Sequence, residues 1–158
     1  MKILQDPSKF SFGATSSTVT SLGLIFGLLG ASDPKASIIE SLLVIAVADN
    51  ISDSLGIHIY RESESLKAEN TKIYTLSNFI TRLGITVLFI LLFAFLPLQL
   101  ATSSCIILGL AVLTSLSYLI SLQHKTNPLR EIFLHVGISI PVIIVSHFIG
   151  QLIFSFFL

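Results

Sequence analysis

Long apolar stretches separated by short polar joints constrain this chain more than any other feature. A helix that crosses a bilayer needs about 20 mostly apolar residues. Five stretches meet that requirement: Phe12 to Ala31, Ala36 to Tyr60, Leu76 to Leu98, Thr102 to Leu122, and Leu129 to Phe157. The first stops at Ser32-Asp33-Pro34 and the last is opened by Asn127-Pro128, both turn signals. Pro141 falls inside the last stretch. It should kink that helix rather than end it, because neighbouring helices can satisfy the freed carbonyl. Only 11% of residues are charged, against roughly a quarter in a soluble domain. The expected fold is therefore all-α, a polytopic membrane protein with one transmembrane domain over residues 1–158. The first apolar stretch follows Lys9 and carries hydroxyl residues, which a cleavable signal peptide would not.

Charge placement gives the expected orientation. With the N-terminus in the cytoplasm, the inner segments hold Lys2, Lys9, Arg61, Lys67, Lys72, Arg82, Lys125 and Arg130, and the outer loops hold only Lys35. That is the positive-inside bias; it puts the C-terminus outside or in a lumen. The short chain favours a prokaryotic cytoplasmic membrane, with a vacuolar membrane as the other assignment. The formal net charge is zero and no basic block is present, so nucleic-acid binding has no support. A single cysteine, Cys105, makes neither an internal disulfide nor a paired-cysteine metal site. No nucleophile–base triad, phosphate loop or zinc-protease motif occurs, and an enzyme is not expected.

The polar residues at membrane depth carry the chemistry. Asp49 and Asp53 lie four apart on the second helix and so share a face. Each ionised carboxylate at mid-bilayer costs on the order of 3 kcal/mol on insertion scales. Two in one turn also repel each other, so they require a cation, a proton or a basic partner. One reading is a cation or proton site. The other is a structural network in which the acids bond to Ser, Thr or Asn of a neighbouring helix. Reckoned from the span boundaries, no Lys or Arg lies at matching depth, and Arg82, at the start of the third span, is expected to snorkel to the inner interface. The first helix offers Thr15, Ser16, Ser17, Thr18, Thr20 and Ser21. Ser16 and Thr20 fall near the depth of Asp53, and hydroxyl plus carboxylate oxygens suit hard or borderline divalent cations. The same small residues also allow close helix packing. Gly23 and Gly27 have GxxxG spacing, a helix-contact pattern.

Further candidates lie toward the cytoplasm. His58 sits one turn below Asp53 and can hand over a metal or a proton, or simply form a polar helix end. Glu62, Glu64 and Glu69 can attract cations or form a solvated loop. Glu40, near the outer end of the second helix, reads as an exit-side or interfacial residue. His135 and His147 read as hydrogen-bonded packing residues of the last helix.

These helices together resemble the vacuolar iron transporter family, which includes nodulin-like membrane proteins. The segment FGATSSTVTSLGLIFGLLGA, Phe12 to Ala31, is similar to that family's first helix, FGATDGxVTTFAVVAGxxGA. Ala48 to Glu64 resembles its second helix, A-x-S-M-A-x-G-E-Y-x-S-x-x-S, matched at Ser52, Gly56 and Ser63. Asn127 to Gly150 resembles its fifth, including Leu129-Arg130-Glu131 and the late Ile149-Gly150. The resemblance implies a homodimer with the pathway between the two copies of helix one, lined by helix two. It implies a divalent metal cation transporter, with Fe²⁺ or Mn²⁺ favoured as cargo and no resident cofactor.

The departures bear on the site. The family's first-helix Asp falls on Ser16 and its Gly on Ser17; its second-helix Met falls on Asp53, its Glu on Ile57 and its Tyr on His58. An acid has left helix one and appeared on helix two, and a soft thioether is gone. An all-oxygen site leans toward harder ions such as Mn²⁺, Fe²⁺ or Mg²⁺. The long Glu-rich insertion of iron-transporting members is missing, the connection here being Arg61 to Thr75. The expected function is export of a divalent cation by proton exchange, with Asp49, Asp53, Ser16, Thr20 and His58 as metal-site residues. The competing expectations are a non-transporting membrane protein that has lost the metal site, and a transporter of another small solute or of protons alone.

Overall fold

The computed structural model describes residues 7–64 and 68–157. Lys2 and Lys67, counted above toward the charge bias, and the side chain of Glu69 lie outside the described residues. A short 3-10 turn, Pro7–Lys9, leads into α1, Ser11–Leu28. Next comes a continuous rod made of α2 (Pro34–Val44), one π turn (Ile45–Asp49) and α3 (Asn50–Ser63). Then follow α4 (Ala68–Phe95), α5 (Leu98–His124) and α6 (Pro128–Phe157). No strand occurs among the described residues.

Local chemistry fixes the joints. Asp33 caps α2 by accepting a hydrogen bond from the Ala36 amide at 3.2 Å, with Pro34 in the first turn where its missing N–H costs nothing. Lys125 ends α5 in the left-handed conformation, φ 56°. The Asn127 side chain then accepts from the Leu129 amide at 3.0 Å as Pro128 starts α6. α6 runs unbroken through Pro141. The expected fifteen-residue connection between the second and third helices is mostly helix: α3 reaches Ser63 and α4 begins at Ala68.

Polar side chains face inward and large apolar ones face outward. Ser17, Thr18, Ser21, Asn50, Asn78, Arg82, Thr86 and Ser117 are buried, whereas Val44, Val47, Ile51, Phe133, Phe148 and Phe156 are exposed. Water as solvent would reverse that arrangement, and lipid explains it. Among the described residues, four helices are long and apolar enough to cross a membrane: Pro34–Ser63, Asn70–Phe95, Leu98–His124 and Pro128–Phe157. The protein is thus all-helical, with the composition of an integral membrane protein. α1, the remaining expected span, is 18 residues long and diluted by hydroxyl groups, so apolarity alone does not mark it. It lies at the centre, packed on α6 and α4 most extensively and also on α5 and α2.

Small residues allow that central position. A Cβ at Gly150 of α6 would lie 1.9 Å from the Gly27 carbonyl oxygen of α1, so the two backbones touch where only glycine fits. Gly23, one turn along α1, faces Ser146 and Val142 of α6. The GxxxG pattern of α1 is therefore a helix-crossing surface. Leu22, Ile25, Ile38, Leu42, Phe89, Phe93, Ala101 and Cys105 form the apolar core beside it.

Candidate functional site

Asp49, Asp53, Arg82 and Ser16 meet in one cluster between the rod, α4 and α1. Arg82 is 2% exposed. Its Nη2 pairs with Asp49 Oδ2, and its Nη1 pairs with Asp53 Oδ2 at 2.5 Å. Nη1 also donates to Ser16 Oγ, and Ser16 Oγ donates to the same Asp53 oxygen at 3.4 Å. Arg82 therefore does not snorkel to the inner interface, and a basic residue does lie at the depth of the two acids. The guanidinium fork suits the task because it presents two nitrogens to two carboxylates at once. Two carboxylates against one guanidinium leave the cluster one negative charge in excess.

The backbone around the cluster is specialised. The π turn ends on Asp49, with the Asn50 amide reaching back to the Ile45 carbonyl. Such turns insert one residue into the helical register and are frequent at functional sites. Asn50, 2% exposed, donates from Nδ2 to the Phe79 carbonyl of α4 at 3.2 Å, tying the rod to α4. Ser17 of α1 donates to the Arg82 carbonyl at 3.2 Å and shares a 3.0 Å hydrogen bond with Thr86. Asn78, one turn before Arg82, donates to Ser54 at 3.2 Å and leaves its Oδ1 buried without a partner. Gly13 permits this approach, since a Cβ there would lie 2.8 Å from the Asn78 carbonyl oxygen.

The carboxylates are not sealed. The Asp49 side chain is 42% exposed and that of Asp53 28%. Ala48 and Ser52, their neighbours on the rod, are exposed as well. The acids thus lie at the edge of the chain, held from inside by Arg82 and open on the other side.

The remaining candidates do not join the cluster. Thr20 is exposed and has no bond to Asp53 or Arg82. His58 turns toward α4 and its own helix, with Nδ1 3.4 Å from Thr75 Oγ1 and Nε2 3.3 Å from Glu62. Glu40, Glu62 and Glu64 are exposed. His135 bonds Ser117 at 2.9 Å, and His147 lies 3.4 Å from the Phe26 carbonyl and 3.0 Å from the Gln151 amide nitrogen. Among the described residues, no three His, Cys, Asp or Glu side chains are grouped to hold a metal ion. Sequence reasoning missed Arg82 as the partner of the acids and Asn50 as the tie between the rod and α4. The signal was present as a polar residue in an apolar run, but its depth was misjudged.

Next to the cluster, toward the N-terminus of α1, lies a cavity of about 540 Å³. Asp53 and Asn78 line it, with Lys9, Phe12, Tyr60, Arg61 and Tyr74. The N-terminus of α1, the C-terminus of α3 and the N-terminus of α4 therefore share one end of the bundle. A second cavity joins Ser11 and Thr15 to Ser117 of α5 and His135 of α6, which brings the end of α5 and the start of α6 to the same side. Successive helices alternate in direction. Comparison of the chain with protein-family models, curated proteins and solved structures gives no match.

Proposed function

We propose that this chain is a membrane transporter for a divalent cation, in which Asp49 and Asp53 alternate between holding the cargo and holding protons. The observation that carries the proposal is the Asp49–Arg82–Asp53 triad, an ion cluster inside the bundle with its carboxylates open on one side. A charge cluster at membrane depth is costly unless it is used or fully neutralised. Here neutralisation is incomplete, because two carboxylates face one guanidinium.

The proposal includes five spans, with α1 as the fifth, the N-terminus in the cytoplasm and the C-terminus outside. The basic residues Lys9, Arg61, Lys125 and Arg130 support this, since they gather toward the end where the helix directions place the N-terminus of α1. It also includes a homodimer in which a second copy covers the open side of the rod. Ala48 and Ser52 are small enough to allow close approach there. Charge arithmetic then favours the cargo class. Each triad carries two negative charges and one positive, so two facing triads carry a net charge of −2. One divalent cation or two protons bring that to zero. Exchange of one for the other leaves the site neutral in both loaded states, the condition a low-dielectric site favours. The donors are oxygens, from carboxylates and Ser16, which suits Fe²⁺ or Mn²⁺ better than a softer ion. A proton and a metal ion compete for the same carboxylate oxygens, so each displaces the other.

A second reading has one observation in its favour. Arg82 already bonds both carboxylates, as a purely structural network would require. A non-transporting protein would keep the triad to fix the register of the rod against α4. Ion flux separates the two. Purified protein in liposomes loaded with a metal-sensitive dye is given Fe²⁺, Mn²⁺, Co²⁺ or Zn²⁺, with and without a pH gradient. Flux that follows the gradient and is lost in Asp53→Asn supports the transporter. Wild-type flux in Asp53→Asn, or no flux of any ion from folded protein, rejects it and leaves the structural reading.

A further inference from the structure

The cavity at the N-terminal end of α1 shares Asp53 with the triad but has cations of its own. Two cations converge there on one ring. The Arg61 guanidinium lies 3.7 Å from the centre of the Tyr74 ring, and the Lys9 ammonium 6.0 Å from it. Among the described residues Arg61 has no carboxylate partner, and its Nε is buried with no hydrogen bond. Among the described residues, Glu62 pairs with His58, and Asp53, which lines the cavity, is held by Arg82 and Ser16. A buried guanidinium N–H without an acceptor is a costly group, and the cation–π contact with Tyr74 holds the guanidinium in place beside the cavity.

The rest of the wall is apolar and open. Phe12 is 54% exposed and Tyr60 63% exposed, and Ile57 joins them in the lining. Aromatic side chains of this kind sit at the membrane–water boundary with their rings among headgroups and upper acyl chains. We propose that this cavity binds an anionic lipid, with the phosphate between Arg61 and Lys9 and the acyl chain along Phe12, Ile57 and Tyr60. Phosphate matches the guanidinium fork in two parallel hydrogen bonds, and the apolar wall selects a lipid over a free anion.

The test is competitive lipid retention. Delipidated protein in detergent is equilibrated with equimolar phosphatidylglycerol and phosphatidylcholine, recaptured, and its bound lipids are quantified by mass spectrometry. Wild-type protein should retain phosphatidylglycerol preferentially. Each of Arg61→Gln and Lys9→Gln should lower that preference about fivefold, the effect of one basic residue at an anionic surface. Arg61→Lys keeps the charge but loses the fork and should fall between. The paired change Lys125→Gln with Arg130→Gln removes two basic residues away from the cavity and should leave the preference unchanged. Equal losses in that control would mean diffuse surface attraction and overturn the site. So would undiminished preference in both Arg61→Gln and Lys9→Gln. Displacement of the lipid by millimolar inorganic phosphate would show a free-anion site instead.

Discussion

Replacing Arg82 by methionine tests the electrostatics of the cluster most directly. Arg82 is 2% exposed and bonds both carboxylates. Its removal leaves two acids, four residues apart on one face, with no cation. Breaking a buried ion pair from one side costs about 3–5 kcal/mol. Asp49 is 42% exposed and counts for less than a sealed charge, so the low end, about 3 kcal/mol, applies. For a chain of this length each kcal/mol moves the melting temperature by roughly 2–4 °C, which gives a fall of about 6–12 °C. The double change Asp49→Asn with Asp53→Asn strands the guanidinium instead and should cost a similar amount. The triple variant, with Met at 82 and Asn at 49 and 53, removes every charge of the triad. It should melt within about 1 kcal/mol of wild type, because a buried ion network and a neutral isostere are close in energy. Cys105 provides the assay: it is the chain's one cysteine and is fully buried, so a thiol-reactive dye reports unfolding in detergent. An Arg82→Met protein that melts with wild type, or a triple variant no more stable than the single one, would refute the reasoning.

The other predictions concern packing and assembly. Gly150→Val should separate α6 from α1, because a Cβ there falls 1.9 Å from the Gly27 oxygen; a loss above about 3 kcal/mol is expected, while Gly137→Val, where a Cβ meets nothing within 4 Å, should melt with wild type. Ser52→Cys in a Cys105→Ala background should form a disulfide-linked dimer in membranes if a second copy covers the rod beside Asp53. Absence of that crosslink, together with efficient labelling of the thiol by a lipid-soluble maleimide, would reject the dimer face.

Much of the architecture was legible because the bilayer leaves few choices. Stretches of apolar residues read directly as helices, and Asp33-Pro34 and Asn127-Pro128 mark the joints where they occur. The crossing of α1 and α6 could be anticipated only in part. GxxxG spacing announces a close contact but does not name its partner, and Gly150 and Ser146 lie more than a hundred residues away. The π turn was not legible. It changes the register by one residue without any proline or glycine to signal it, and Ile45 to Asp49 reads as ordinary helix.

Arg82 shows why hydropathy misplaces a charge. Apolarity marks where a span begins, whereas helical geometry depends on where the helix begins. The apolar stretch opens at Leu76, which puts Arg82 six residues in and within reach of the interface by snorkelling. α4 starts at Ala68, and Arg82 is then 82 − 68 = 14 residues from its start. On the antiparallel rod, Asp49 is 63 − 49 = 14 residues from the end at Ser63, and Asp53 is 63 − 53 = 10. At 1.5 Å per residue these are about 21, 21 and 15 Å, so the guanidinium arrives level with one acid and within one turn of the other. Because α3 and α4 are joined by a short link, equal distances from that link force the three charges into one layer. The depth of a charge in a helical hairpin is therefore set by its distance from the hairpin's turn, and the polar residues that extend α3 and α4 beyond their apolar stretches carry Arg82 to the level of its acids.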